Sequence, residues 1–130
     1  MTRDEILQMT PEELRVEIAL RKGWLARSSS SPSGPFWWTP PNENGHRKSS
    51  TSDVPPSWPA SIADAWELVE EIGAAGASVQ IVQIIHGEGR VSYAVAIVTP
   101  DEPFMDSYDS EGETAALALS SSWLLWKAGV

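Results

Sequence analysis

Cysteine is absent from this chain of 130 residues. That excludes disulfides, cysteine-ligated zinc, iron–sulfur clusters and thiol chemistry, and it suits a reducing compartment. Histidine is nearly absent, with only His46 and His86, so a zinc hydrolase centre lacks its usual ligands. No apolar run approaches the roughly 20 residues needed to span a bilayer. The opening Met1-Thr2-Arg3-Asp4 is polar and unlike a secretory leader. The expectation is a cytoplasmic protein with no membrane association.

Basic residues are scarce in one half. Residues 1–65 hold eight acids and seven bases, net −1, whereas residues 66–130 hold ten acids and two bases, net −8. Nucleic-acid binding needs cations to displace phosphate counterions, so a general nucleic-acid partner is excluded. The overall formal charge of −9 instead favours solubility or a basic partner; mimicry of nucleic-acid charge is a weaker alternative.

What the chain has in surplus is tryptophan, seven in all. Indole favours sites with one buried side and a polar partner for its nitrogen. A single domain of this length builds a core without covalent staples. Some tryptophans therefore fill that core, and the remainder are free to line a contact surface.

The fold is organised around Ala77 to Val98. Val79, Ile81 and Ile85 share one side of a first strand, and Val82 and Ile84 the other. Val91, Tyr93, Val95 and Ile97 alternate in a second strand with Ser92, Ala94, Ala96 and Val98. This period of two, broken by His86-Gly87-Glu88-Gly89, predicts a hairpin. Neither face is strongly polar, so both are expected to be covered. A two-stranded ribbon is marginal by itself, so helices must complete the core.

Those helices have readable starts. Arg3 to Met9 predicts a short turn. Thr10-Pro11-Glu12-Glu13 predicts an N-cap, a proline at the first helical position and a capping box, with Gly23 at the exit. Ser61 caps a helix to Ala74, whose apolar stripe is read as Ile62, Ala65, Trp66, Val69 and Ile72. Thr114 to Lys127 forms a last helix, apolar on nearly every side. Phe36 to Thr39 predicts a short third strand, stopped by Pro40-Pro41. Ser28–Pro35 reads as a loop, residues 42–57 as a poorly ordered polar arm, and Trp58 as the anchor that pins its end.

The acidic stretch Thr99 to Glu113 reads as a solvated loop tacked down by Phe104, Met105 and Tyr108. Aligned on Gly112, an EF-type calcium loop would place Ser107, Asp109 and Glu111 at its first three ligand positions but Ala118 where the bidentate glutamate belongs, which rejects that motif. No catalytic constellation emerges. His86 beside Glu88 is a pair on a tight turn, the serine runs lack a nucleophile elbow, and Gly73-Ala74-Ala75-Gly76 lacks the lysine of a phosphate loop. No catalytic, cofactor or metal residue is assigned, and no cofactor is expected.

Three segments together resemble a known family: Met1-Thr2-Arg3-Asp4-Glu5-Ile6-Leu7, Trp37-Trp38 to Pro40-Pro41, and Ser61-Ile62-Ala63-Asp64-Ala65-Trp66-Glu67-Leu68-Val69-Glu70. In order and spacing they look like the phage ABA sandwich domain family, small proteins of bacteriophages and prophages. The resemblance covers most of the chain and implies a three-layer α/β/α sandwich. It agrees with the α+β reading, a small antiparallel sheet on a central hairpin with helices packed on it, over residues 1–130 as one domain. The family brings no established chemistry, so no catalytic residue is implied.

The leading functional expectation is a non-enzymatic accessory protein in the host cytoplasm, working through a protein partner. Aromatic residues dominate binding hot spots, which nominates Trp37, Trp38, Trp58, Trp123 and Trp126 as the surface. The alternatives are a small-molecule or nucleotide-signal binder lined by the same aromatics, with Arg21, Arg27 and Arg90 as donors, and a homodimeric assembly component joined through its last helix.

Overall fold

The computed structural model describes residues 1–28, 36–41, 54–100 and 107–130. Most of the polar arm (42–53) and the acidic residues 101–106 lie outside the described residues, and with them the expectations of poor order and of anchoring by Phe104 and Met105.

In chain order the elements are α1 (Arg3–Leu7), α2 (Pro11–Arg21), β1 (Leu25–Ser28), β2 (Phe36–Thr39), α3 (Ile62–Ala74), β3 (Ser78–Ile85), β4 (Val91–Val98), β5 (Ser107–Gly112) and α4 (Ala115–Ala128). The caps act as the sequence predicts. Thr10 Oγ1 accepts from the Glu13 amide while the Glu13 carboxylate accepts from the Thr10 amide, closing the box. Ser61, as expected, caps α3 through the amide of Asp64, and Thr114 caps α4 through the amide of Leu117. Each cap satisfies an orphan helix donor and is worth about 1 kcal/mol.

The hairpin forms with Ser78 opposite Val98 and Ile85 opposite Val91. Its turn uses one of its two glycines at positive φ, Gly89 at 80°; the other such residue is Glu88, at 70°. A third strand, β5, pairs with β4 from Tyr93 opposite Gly112 to Val98 opposite Ser107. The expected acidic loop is thus a strand from Ser107 onward. Tyr108, Ser110 and Gly112 point to the core side, and Asp109 and Glu111 to the other. The alternation was present, but serine, aspartate and glycine are poor strand formers and hid it.

β2 does not join this sheet. It pairs with β1, Leu25 opposite Thr39 and Ser28 opposite Phe36, in a separate two-stranded ribbon. Leu25–Ser28 gave no strand signal because Leu-Ala-Arg-Ser, unlike Phe-Trp-Trp-Thr, has no β-branched or aromatic residue.

α4 is the centre of the core, buried continuously from Ala118 through Leu125. On one side it meets the sheet: the Ser122 hydroxyl donates to the Val95 carbonyl at 3.1 Å, and the Ser110 hydroxyl donates to the Ala118 carbonyl at 2.6 Å. On the other side Trp123, Leu124 and Leu125 pack with Ile6, Leu14, Ile18, Leu68 and Ile72 from the other three helices. Each fully buried aliphatic side chain contributes roughly 1.5–3 kcal/mol.

α4 packs on one face of the sheet, that of Val79, Val95, Ile97, Tyr108 and Ser110. On the opposite face (Gln80, Val82, Ile84, Ser92, Ala94, Ala96, Val98, Asp109 and Glu111), Arg3 and Leu7 of α1 border Ala94, Asp109 and Glu111. The architecture is a small α+β fold, a three-stranded antiparallel sheet with helices packed against it.

Candidate interaction surface

The tryptophans nominated as a surface do not form one. Trp58 and Trp123 are completely buried. Trp38 and Trp126 are half-buried against the same core, and the side chain of Trp37 lies outside the described residues. Core demand explains this. Lys22 lays its ammonium 5.9 Å from the centre of the Trp58 ring and 5.3 Å from that of Trp123, and Lys127 sits 4.8 Å from that of Trp126. The Trp123 indole donates to Glu71, which also pairs with Lys22 at 3.6 Å and Lys127 at 3.6 Å. This node ties α2, α3, α4 and the end of the arm together. Trp58 does pin the arm, as expected.

Among the described side chains the exposed tryptophan is Trp66, which the stripe on α3 had placed inside. The buried positions are Ala65, Leu68 and Ile72, while Ile62 and Trp66 are each 51% exposed. At about 100° per residue, Leu68 and Ile72 point toward α4, and Ala65 and Val69 toward the sheet. Ile62 and Trp66 then fall past the sheet, on the flank away from α4. Ala65 packs with Val95, whose cross-strand partner is Ile81. Trp66 and Ile62 consequently overhang the outer side of β3. A stripe that is already complete without Trp66 was the signal that it lay beyond the core.

β3 is itself an edge. Among the described residues, the order β3-β4-β5 leaves it bonded on one side only. The His86 amide donates to the Arg90 carbonyl at 2.7 Å. In an antiparallel ladder bonded pairs alternate, so even-numbered residues of β3 bond to β4. Val79, Ile81, Gln83 and Ile85 turn their N–H and C=O groups outward. Ile81, Val82 and Ile85 are 40%, 56% and 73% exposed. The strand Ser-Val-Gln-Ile-Val-Gln-Ile-Ile has no charge, proline or bulge, the devices that usually guard an edge. The other edge is guarded: β5 carries Asp109 and Glu111, and the Arg3 guanidinium donates to the Asp109 carbonyl at 2.6 Å.

A second feature lies at the turn end of the sheet. His86, Arg90, Val91, Ser92, Glu111, Gly112 and Glu113 line an open cleft of about 500 Å³. The Ser92 hydroxyl donates to Glu111 Oε1 at 2.7 Å, and His86 Nε2 lies 2.8 Å from Ser92 Oγ. With the serine proton given to Glu111, the imidazole is the donor to Ser92. His86 thus engages Ser92 and Glu111 rather than Glu88. Serine sits between the other two groups, whereas nucleophile activation needs the imidazole between serine and carboxylate. The arrangement ties the hairpin turn to β5. Of the three arginines considered as donors, Arg90 lines this cleft, and the side chain of Arg27 lies outside the described residues. Among the described residues, no group of three or more histidines and carboxylates is placed to hold a metal ion, and no helix is long and apolar enough to cross a membrane.

No protein-family model matches the chain, and no curated protein matches it. The likeness to the phage ABA sandwich family rests on the order of the three quoted segments.

Proposed function

We propose that this chain is a non-enzymatic protein that works through protein–protein contact, and that the contact is made by strand addition at β3. The observation that carries this reading is the outward row of backbone donors and acceptors on an uncharged edge, flanked by exposed Ile81, Ile85, Ile62 and Trp66. Strand addition draws affinity from main-chain bonds and specificity from alternate side chains. An extended, apolar, non-acidic segment meets both demands. A phage or prophage accessory role in a host cytoplasm is the setting that the family resemblance suggests for such a module.

The test is a titration of the labelled protein, dilute, with a capped peptide of alternating valine and threonine, followed by amide NMR. Saturable shifts centred on Val79, Ile81, Gln83 and Ile85, lost in Gln83→Pro, support the reading. Shifts elsewhere, or none, overturn it.

Small-ligand binding is a second reading, supported by the cleft at His86, Arg90 and Glu111. Its ligand would carry an anionic group for Arg90 and a hydroxyl or amine for Glu111. Ser92→Ala should weaken such binding without affecting peptide capture at β3.

A further inference from the structure

We infer that the segment occupying the β3 edge is β3 of a second copy, giving a two-fold dimer with one continuous six-stranded sheet. This rests on the strand-addition reading and names its partner. Three observations carry it.

The first is charge. A chain of net charge −9 repels its own copy, so self-association requires a surface without acids. β3 has no charged residue from Ser78 to Ile85, whereas the opposite edge presents Asp109 and Glu111.

The second is register. A two-fold axis normal to the sheet keeps the helices of both copies on one face and pairs odd residues with odd. Only odd residues of β3 turn their backbone groups outward, so these make the bonded pairs. Centring the axis on Val82 places Val79 opposite the partner's Ile85, Ile81 opposite the partner's Gln83, and Val82 opposite itself at a non-bonded position. Ile85, at 73% the most exposed of the large apolar residues described, then lies beside Val79 of the other copy, on the face where Val69 of α3 packs.

The third is area. Ile62, Trp66, Ile81, Val82 and Ile85 are between 40% and 73% exposed; with the indole at the upper end of about 150–250 Å² and the aliphatic side chains at the lower end, they offer roughly 500 Å² per copy. A stable interface buries about 800 Å² per partner. The backbone of seven paired residues, with Gln80 and Gln83, supplies the difference.

The experiment combines sedimentation with an engineered crosslink. Because the chain lacks cysteine, Val82→Cys introduces a single thiol. Opposed non-bonded residues lie about 4.5 Å apart at Cα, within disulfide range. Oxidised Val82→Cys should run as a covalent dimer, whereas Asp109→Cys on the other edge should stay monomeric. Val82→Glu places two carboxylates against each other and should raise the dimer dissociation constant at least tenfold, with the far-UV spectrum unchanged. Gln83→Lys, also at an exposed position, serves as the second variant should Val82→Glu lose its fold. A dimer indifferent to whichever of these variants folds overturns the inference, and so does a wild-type monomer at about 100 μM. A monomer that still takes the alternating peptide at β3 loses only the second copy; one that ignores the peptide loses the strand-addition reading as well.

Discussion

Lys22 and Trp123 are joined face to charge: the ammonium lies 5.3 Å from the centre of the indole ring. The lysine side chain is 12% exposed and also pairs with Glu67 at 3.1 Å. A cation this far from water is held by the rings and carboxylates around it. Lys22→Met keeps the stem and removes the charge, leaving Glu71 with Lys127 and the Trp123 indole. It is expected to cost about 1 kcal/mol, whereas Lys22→Ala, which also loses the packed methylenes, should cost about 2–3 kcal/mol. Urea unfolding of the two variants checks the difference.

Trp58 and Trp66 should respond in opposite ways. Trp58→Ala empties a fully buried site and is expected to cost about 3–5 kcal/mol, close to unfolding a small domain. Trp66→Ala should change monomer stability by less than about 0.5 kcal/mol while weakening association at β3. Thermal melts and sedimentation separate the two effects.

Gly112 lets β5 approach the start of α4. A Cβ there would lie 3.1 Å from the Ala118 amide nitrogen and 3.3 Å from Leu117 Cγ. The nearest group is helix backbone, which cannot swing aside. Gly112→Ala should therefore destabilise by about 1–3 kcal/mol, measured by denaturant midpoint.

Glu88 holds φ at 70° in the hairpin turn, a conformation costing a side chain with a Cβ about 1–2 kcal/mol. Asparagine tolerates it better. Glu88→Asn is expected to raise stability by about 0.5 kcal/mol, read as a small increase in melting temperature.

The helices and the hairpin were legible because their signals are local. Thr10 and Glu13 are three residues apart, and Val79 to Val98 repeats every second residue. β5 was missed because Ser107–Gly112 is a strand only in company with β4, and its residues have little strand preference of their own. The candidate surface was missed for a related reason. Composition counts tryptophans but does not say which of them α4 and the arm will enclose.

The sequence by itself determined where helices begin and end, where the chain turns back, and that cysteine is absent. Each of these depends on residue type within a few positions. Only the tertiary structure decided that Trp58 and Trp123 are interior and Trp66 exterior, which face of the sheet α4 packs on, and that β3 is an edge among the described strands. Those outcomes follow from which distant segments compete for the same apolar area, and α4 takes the face that gives it the most.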